Sequence, residues 1–171
     1  IKPSHGYGRK GVVLDARDER DLTRSLSAWP NPAYLLQNKI VPKLLGQNPA
    51  YWRVFYVFGD VWICWWNCFT DKYSVTTAAE LEQYSLAPLE RIVRKIAEIT
   101  RMNFFSSEIA QTAQGEFVLI DYVNDQCHML SQSAHPGMGV PDGVVAAIAK
   151  RLVEATAKMI GRTLPPQPTL A

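Results

Sequence analysis

From Leu89 to Ile99 the apolar side chains Leu89, Ile92, Val93, Ile96, Ala97 and Ile99 recur at helical spacing. Glu90, Arg91, Arg94, Lys95 and Glu98 fill the opposite side. That rhythm predicts an amphipathic helix, and Pro88 sits where a first helical turn tolerates it. A second helical pattern runs from Gly143 to Ile160, with Asp142 as its candidate cap. Shorter ones cover Asp18 to Leu26, broken by Pro30 and Pro32, and Thr77 to Tyr84.

The other rhythm is that of strands. Tyr51 to Phe58 and Val61 to Asn67 are aromatic and β-branched, and the Gly59-Asp60 pair between them signals a hairpin. Both runs are mostly apolar, so cover on both faces of their sheet is expected. Phe104 to Ile109 and Glu116 to Val123 form a second pair around Gln114-Gly115. Ala33 to Val41 reads as one more apolar strand, and 43–50 as a loop. Ile1-Lys2-Pro3 and Val12-Val13-Leu14 read as short strands flanking the glycine-rich stretch Ser4 to Gly11. Residues 124–141 are loop-rich, and Pro165, Pro166 and Pro168 mark an extended tail. Strands arrive in adjacent pairs rather than in strict β-α-β alternation. The predicted class is therefore α+β, with antiparallel sheets and packed helices.

Composition narrows the function classes. The chain has 171 residues, 47% hydrophobic and 20% charged, enough for one domain with a core or two small lobes. A formal charge of +2, with basic residues scattered, gives no nucleic-acid signature. No apolar stretch reaches the roughly 18 residues of a membrane span, and the opening Ile-Lys-Pro-Ser-His carries no signal-peptide pattern. The opening without methionine reads as a chain that continues upstream. Three cysteines make no disulfide framework. Cys64 and Cys68 would share a strand face and read as buried thiols rather than as zinc ligands with Cys127-His128. A reducing, cytoplasmic setting is the expectation.

Candidate chemistry falls in three places. A glycine-rich loop lets backbone N–H groups approach phosphate oxygens, and Lys2, Arg9 and Lys10 add charge there. It is neither a Walker A loop nor a dinucleotide fingerprint, and a mobile hairpin tip is the plain alternative. Next come Glu108 and Asp121, with Asn124 and Asp125. Magnesium takes hard oxygen ligands, usually one or two carboxylates plus phosphates. A hairpin of the two flanking strands would bring these acids together. Asp121 lies between Phe117-Val118-Leu119-Ile120 and Tyr122-Val123, where an acid is costly unless paired or metal-bound. Surface acids in a turn are the alternative. Last, Arg53 lies inside an apolar strand and needs a partner: a phosphate or carboxylate ligand, or a salt bridge to Asp60 or a neighbouring strand. His5, His128 and His135 form no recognisable triad with a serine or cysteine. Trp62, Trp65 and Trp66 read as core or interface.

Taken in order, these motifs resemble the ATP-grasp superfamily over about residues 1–160. The pattern is a strand ending in Lys2-Pro3, a glycine-rich loop to Gly11, and an apolar hinge Tyr34-Leu35-Leu36-Gln37-Asn38-Lys39-Ile40. The strand pair Arg53 to Val61 follows, then Glu108, a turn at Gly115, and Asp121 with Asn124. The resemblance implies two lobes around a nucleotide cleft: 1–36 as the remnant of a small lobe, 37–162 as a large lobe with the metal site, and 163–171 as a tail. The family's N-terminal part would be absent. Lys2, His5, Gly6, Gly8, Lys10 and Gly11 would hold phosphates, and Gln37, Asn38, Lys39 and Ile40 the adenine. Glu108, Asp121 and Asn124 would hold Mg2+ or Mn2+, with Arg53 and Lys2 as catalytic residues. The implied activity is an ATP-dependent carboxylate–amine ligase acting through an acylphosphate. A small-molecule kinase on the same fold, or a non-catalytic nucleotide-binding or interaction protein, are the alternatives.

Two departures stand out. The family's acid-x-Asn spacing is here Asp121 to Asn124, three apart. A regular strand does not put both on one face. Either a bulge re-aims one of them, or Asp125 takes a share. The ribose-binding acid expected after the hinge is not evident, and Lys43 and Gln47 stand in that stretch.

Overall fold

A computed structural model describes residues 1–5, 10–30, 33–124, 127 and 129–161, with backbone only at 122–124. The chain divides into two compact units, Ile1–Ile40 and Val41–Ala171.

The first unit holds β1 (Lys2–Pro3), α1 (Glu19–Ala28) and β2 (Tyr34–Leu35). Asp18 caps α1 by accepting from the backbone N–H groups of Arg20 and Asp21, and Glu19 and Asp21 add negative charge to the first turn. The expected partner strand at Val12 to Leu14 does not form. β1 pairs antiparallel with β2, and the contact to 12–14 is a single reciprocal pair: Val13 N–H donates to the Ile1 carbonyl at 3.0 Å and the Ile1 amino group donates to the Val13 carbonyl at 2.9 Å. The apolar stretch 33–41 yields only the two residues of β2, because hydrophobicity without a long partner strand cannot build a ladder.

The second unit is built on a five-stranded antiparallel sheet. Its strands are β5 (Tyr51–Val57), β6 (Asp60–Asn67), β7 (Lys72–Val75), β8 (Phe104–Gln111) and β9 (Phe117–Asn124), in the order β7-β6-β5-β8-β9. Ahead of it, residues expected as loop form the small hairpin of β3 (Leu44–Leu45) and β4 (Asn48–Pro49). β5 and β6 join through Phe58 at φ +46° and Gly59 at φ +96°. Two successive positive φ values are what a two-residue turn needs to match the twist of its strands, and glycine takes the larger at no steric cost.

Period-two alternation sends β5 residues to opposite faces. Trp52 and Val54, with Trp65, Phe105 and Ile109, pack against Leu86, Leu89, Val93 and Ile96 around helix α3 (Ala87–Thr100). The short α2 (Ala78–Gln83) precedes α3 and is closed by a capping box between Thr77 and Glu80. Phe55, Val57 and Cys64 face the other way, onto Val140 and onto Val144 and Ile148 of α4 (Asp142–Met159). Both faces of the central strands are thus covered. The molecule is α+β with antiparallel sheets.

Local expectations are corrected in three places. Asp142 lies inside α4 and is no cap; its carboxylate instead accepts from the Ser133 hydroxyl and backbone N–H. Cys68 falls in the turn after β6 and so does not share a strand face with the buried Cys64. Strand β7, Lys72-Tyr73-Ser74-Val75, is not among the expected strands, since an alternation of only four residues is short for a strand signal.

Candidate acid–arginine site on the central sheet

Arg53, Glu108 and Asp121 lie side by side across three strands. The register pairs Arg53 of β5 with Glu108 of β8, and Glu108 with Asp121 of β9. All three therefore occupy the sheet face that also carries Phe55 and Cys64. The Arg53 Nη2 forms an ion pair with Glu108 Oε1 at 2.7 Å, with side chains only 15% and 14% exposed. The Tyr51 hydroxyl donates to Glu108 Oε2 at 2.8 Å. Both carboxylate oxygens of Glu108 are thus engaged from the β5 side.

The guanidinium is held from further directions. Nη1 donates to the Ser106 hydroxyl at 3.3 Å. Cζ lies over the Trp66 ring, 5.1 Å from its centroid, and Tyr73 is a further hydrogen-bond partner. Nε is buried without a partner among the described residues. Burial works against the Arg53 charge, but Glu108, Tyr73 and Asp121 together outweigh it and raise its pKa. Burial, and then the Glu108 charge, push the Tyr51 hydroxyl well above the usual phenol range, so it stays a donor.

β9 is irregular at this site. Ile109 pairs with Leu119 and Glu108 with Asp121, so Ile120 is an extra residue. Ser106 then pairs with residue 124, so a second extra residue lies between Asp121 and Asn124. Ser106 and Glu108 are two apart on β8 and share a face. The second bulge thereby sets backbone positions 121 and 124 opposite that one face, despite their three-residue spacing.

Of the two salt bridges considered for Arg53, the one to Asp60 does not form and the one to a neighbouring strand does. Asp60 lies 2.8 Å from Nε of Arg151, and Arg53 takes its neighbour-strand partner instead. Tyr51, Ser106, Trp66 and Tyr73 were not expected here; the same period-two count that places Arg53 opposite Glu108 also places Tyr51 and Ser106 on that face. Asp125 and His128 lie outside the described residues, and His135 belongs to a turn in which its backbone bonds Ser131, Met138 and Gly139.

The remaining expected site residues belong to the first unit. Lys2 is exposed on β1, and His5 Nδ1 lies 2.9 Å from the Ser4 hydroxyl. Lys10 lies over the Trp29 ring at 5.6 Å. Gly11 adopts φ +71°, its carbonyl accepts from the buried Ser25 hydroxyl, and a Cβ there would meet Trp29 at 2.4 Å. That packing alone accounts for a glycine. Gln37 and Asn38 are exposed, Ile40 is half-buried, and Lys39 pairs with Asp15 at 2.9 Å. Gly6 and Gly8 lie outside the described residues, as do Arg9 and the tail 163–171.

Comparison with known protein families, with curated proteins and with solved structures finds no match to this chain. Among the described residues no helix is long and apolar enough to cross a membrane, and no group of three or more His, Cys, Asp and Glu side chains is arranged to hold a metal.

Proposed function

We propose that the acid pair on β8 and β9 holds a divalent cation that carries a nucleoside triphosphate, and that the chain is part of an ATP-grasp-type ligase. The observation that carries this reading is the register of β9. Two carboxylates directly opposite on neighbouring strands repel each other and destabilise the pair unless positive charge lies between or beside them. Arg53 supplies one unit, which leaves Arg53, Glu108 and Asp121 with a net charge of −1. The Asp121 carboxylate makes no hydrogen bond or ion pair among the described residues, in contrast to Glu108, and acts on Arg53 only through its charge. Two carboxylates with an amide position on the same face are a hard-oxygen donor set of the kind magnesium takes, completed by phosphate oxygens. The second bulge supports residue 124 as the further donor in this reading.

A bound magnesium ion would supply Lewis-acid neutralisation of the transferring phosphoryl group. The chain's own part is to position. Tyr51 and Arg53 fix the rotamer of Glu108, and Arg53 offers a planar cation to an anionic ligand. The reaction class assigned is attack of a substrate carboxylate on the γ-phosphorus, with ADP leaving, to give an acylphosphate, then attack of an amine on the acyl carbon, with inorganic phosphate leaving.

The test is cation binding. Mn2+ titrated into the chain, followed by the electron paramagnetic resonance of free Mn2+, is expected to show one site. Asp121→Asn should weaken it by roughly tenfold or more, since one of two carboxylate ligands is lost. Unchanged affinity in a folded Asp121→Asn protein would overturn the metal assignment. Phosphate release from ATP, dependent on added carboxylates and amines, would separate ligase from binder.

A further inference from the structure

The pairing of Arg53 with Glu108 is incomplete. Fork-to-fork pairing of an arginine with a carboxylate uses two parallel N–H···O bonds. Here Glu108 splits its oxygens, Oε1 to Arg53 Nη2 and Oε2 to the Tyr51 hydroxyl. Arg53 keeps a buried Nε with no partner among the described residues, and its Nη1 reaches Ser106 only at 3.3 Å. The guanidinium carbon lies over the Trp66 ring, 5.1 Å from its centroid, a contact that holds the cation without using any of its N–H donors, and Tyr73 is its remaining partner. Arg53 therefore stands where a cation is needed by the acid pair, and holds a donor that Glu108 does not use.

Resting on the cation-site reading above, we propose that Arg53 is an exchangeable counterion. It neutralises Glu108 while no divalent ion is bound, and is released to an anionic ligand when the ion takes Glu108. The charge count favours the exchange. Arg53, Glu108 and Asp121 sum to −1; a divalent ion raises the sum to +1 and places like charge beside the guanidinium. A phosphate or carboxylate then restores balance and accepts the bidentate fork, Nε included. Cation and anion thereby bind with positive coupling, of the size usual for linked sites, roughly fivefold or more.

Two measurements on the full chain test this, both with Mn2+ and no nucleotide. Arg53→Gln removes the competing cation, and Mn2+ affinity should rise by roughly fivefold or more, while Arg53→Lys should stay near wild type because the charge remains. Departure of the guanidinium from Trp66 should change tryptophan emission on Mn2+ addition, and Trp66→Phe should abolish that change. A purely structural Arg53 gives the opposite pattern: Arg53→Gln binds Mn2+ as wild type or more weakly. Tighter binding without a Trp66-dependent emission change also overturns the exchange, since the arginine then only repels the ion in place. If Arg53→Gln does not fold, the emission change in the wild-type chain decides alone. A wild-type chain that binds no Mn2+ defeats the cation-site reading itself, and is told apart from failure of the exchange by that first titration.

Discussion

Cys64 has no exposed surface, and its thiol faces the sheet side packed by Phe55 and Ile148. A thiolate there would be an uncompensated buried charge, so burial pushes the thiol from its ordinary 9.0 up to about 12. In the unfolded chain the same thiol loses its proton near 9. Between those values the folded state binds more protons than the unfolded one, so stability falls as pH rises. The contribution is complete below pH 9 and gone at about 12. Urea unfolding at half-unit steps from pH 8 to 10 should show this decline, up to about 1.4 kcal/mol per pH unit for a single group. Cys64→Ala should flatten the part below pH 10, where Tyr51 and Tyr73, both raised by burial, do not yet add to it. An unchanged slope in that variant would place the titrating group elsewhere. Tyr51 gives a second expectation at this scale. Tyr51→Phe removes one hydrogen bond to a buried carboxylate and should cost about 2 kcal/mol in the urea-derived free energy, with m unchanged.

At the scale of elements, position in the sheet governs what a local pattern can become. α3 was readable because its apolar stripe and its Pro88 agree with one another, and the β5–β6 hairpin because Gly59 permits the turn that the flanking strands require. The central strands were readable as covered on both faces from their continuous apolar content. The stretch 33–41 misleads because apolar content gives no information about a partner, and only Tyr34 and Leu35 find one. β7 escapes a sequence reading because its alternation, Lys72, Tyr73, Ser74 and Val75, is only four residues long, and this edge strand is held by the ladder to β6. The acids Glu108 and Asp121 were readable as neighbours from the hairpin alone. The β9 bulges were not, since no glycine marks them; they emerge only when β9 is laid against β8. This yields a test at the same scale. Deleting Val123 converts the Asp121 to Asn124 spacing to that of a regular strand, which should keep the asparagine opposite Ser106 with one bulge fewer. The deletion should fold and bind Mn2+ within about threefold of wild type. Loss of binding with an intact sheet would show that the position opposite Ser106 is not what places residue 124 for the ion.

At the scale of the whole molecule, the core is distributed unevenly. Both hydrophobic clusters draw all of their residues from the second unit, from Leu45 to Ala97, Phe105, Ile109 and Phe117 on one face and from Phe55 to Leu152 on the other. In the first unit only Pro3 and Ser25 are fully buried among the described residues, while Leu14, Leu26, Leu35 and Leu36 are exposed. A unit of 40 residues with so little interior lies at the size where disulfides, metals or association are usually needed for independent folding. The larger unit has no such need. Residues 41–171 produced alone should therefore melt cooperatively, with near-ultraviolet dichroism from Trp52, Trp65 and Trp66 retained, whereas 1–40 alone should show no cooperative transition. The acid–arginine site lies wholly within 41–171, so Mn2+ affinity there should match the full chain within about threefold, under 1 kcal/mol. If 41–171 fails to fold, the five-stranded sheet depends on the first unit for stability. If it folds and Mn2+ binding is lost, a ligand from outside the sheet completes the site.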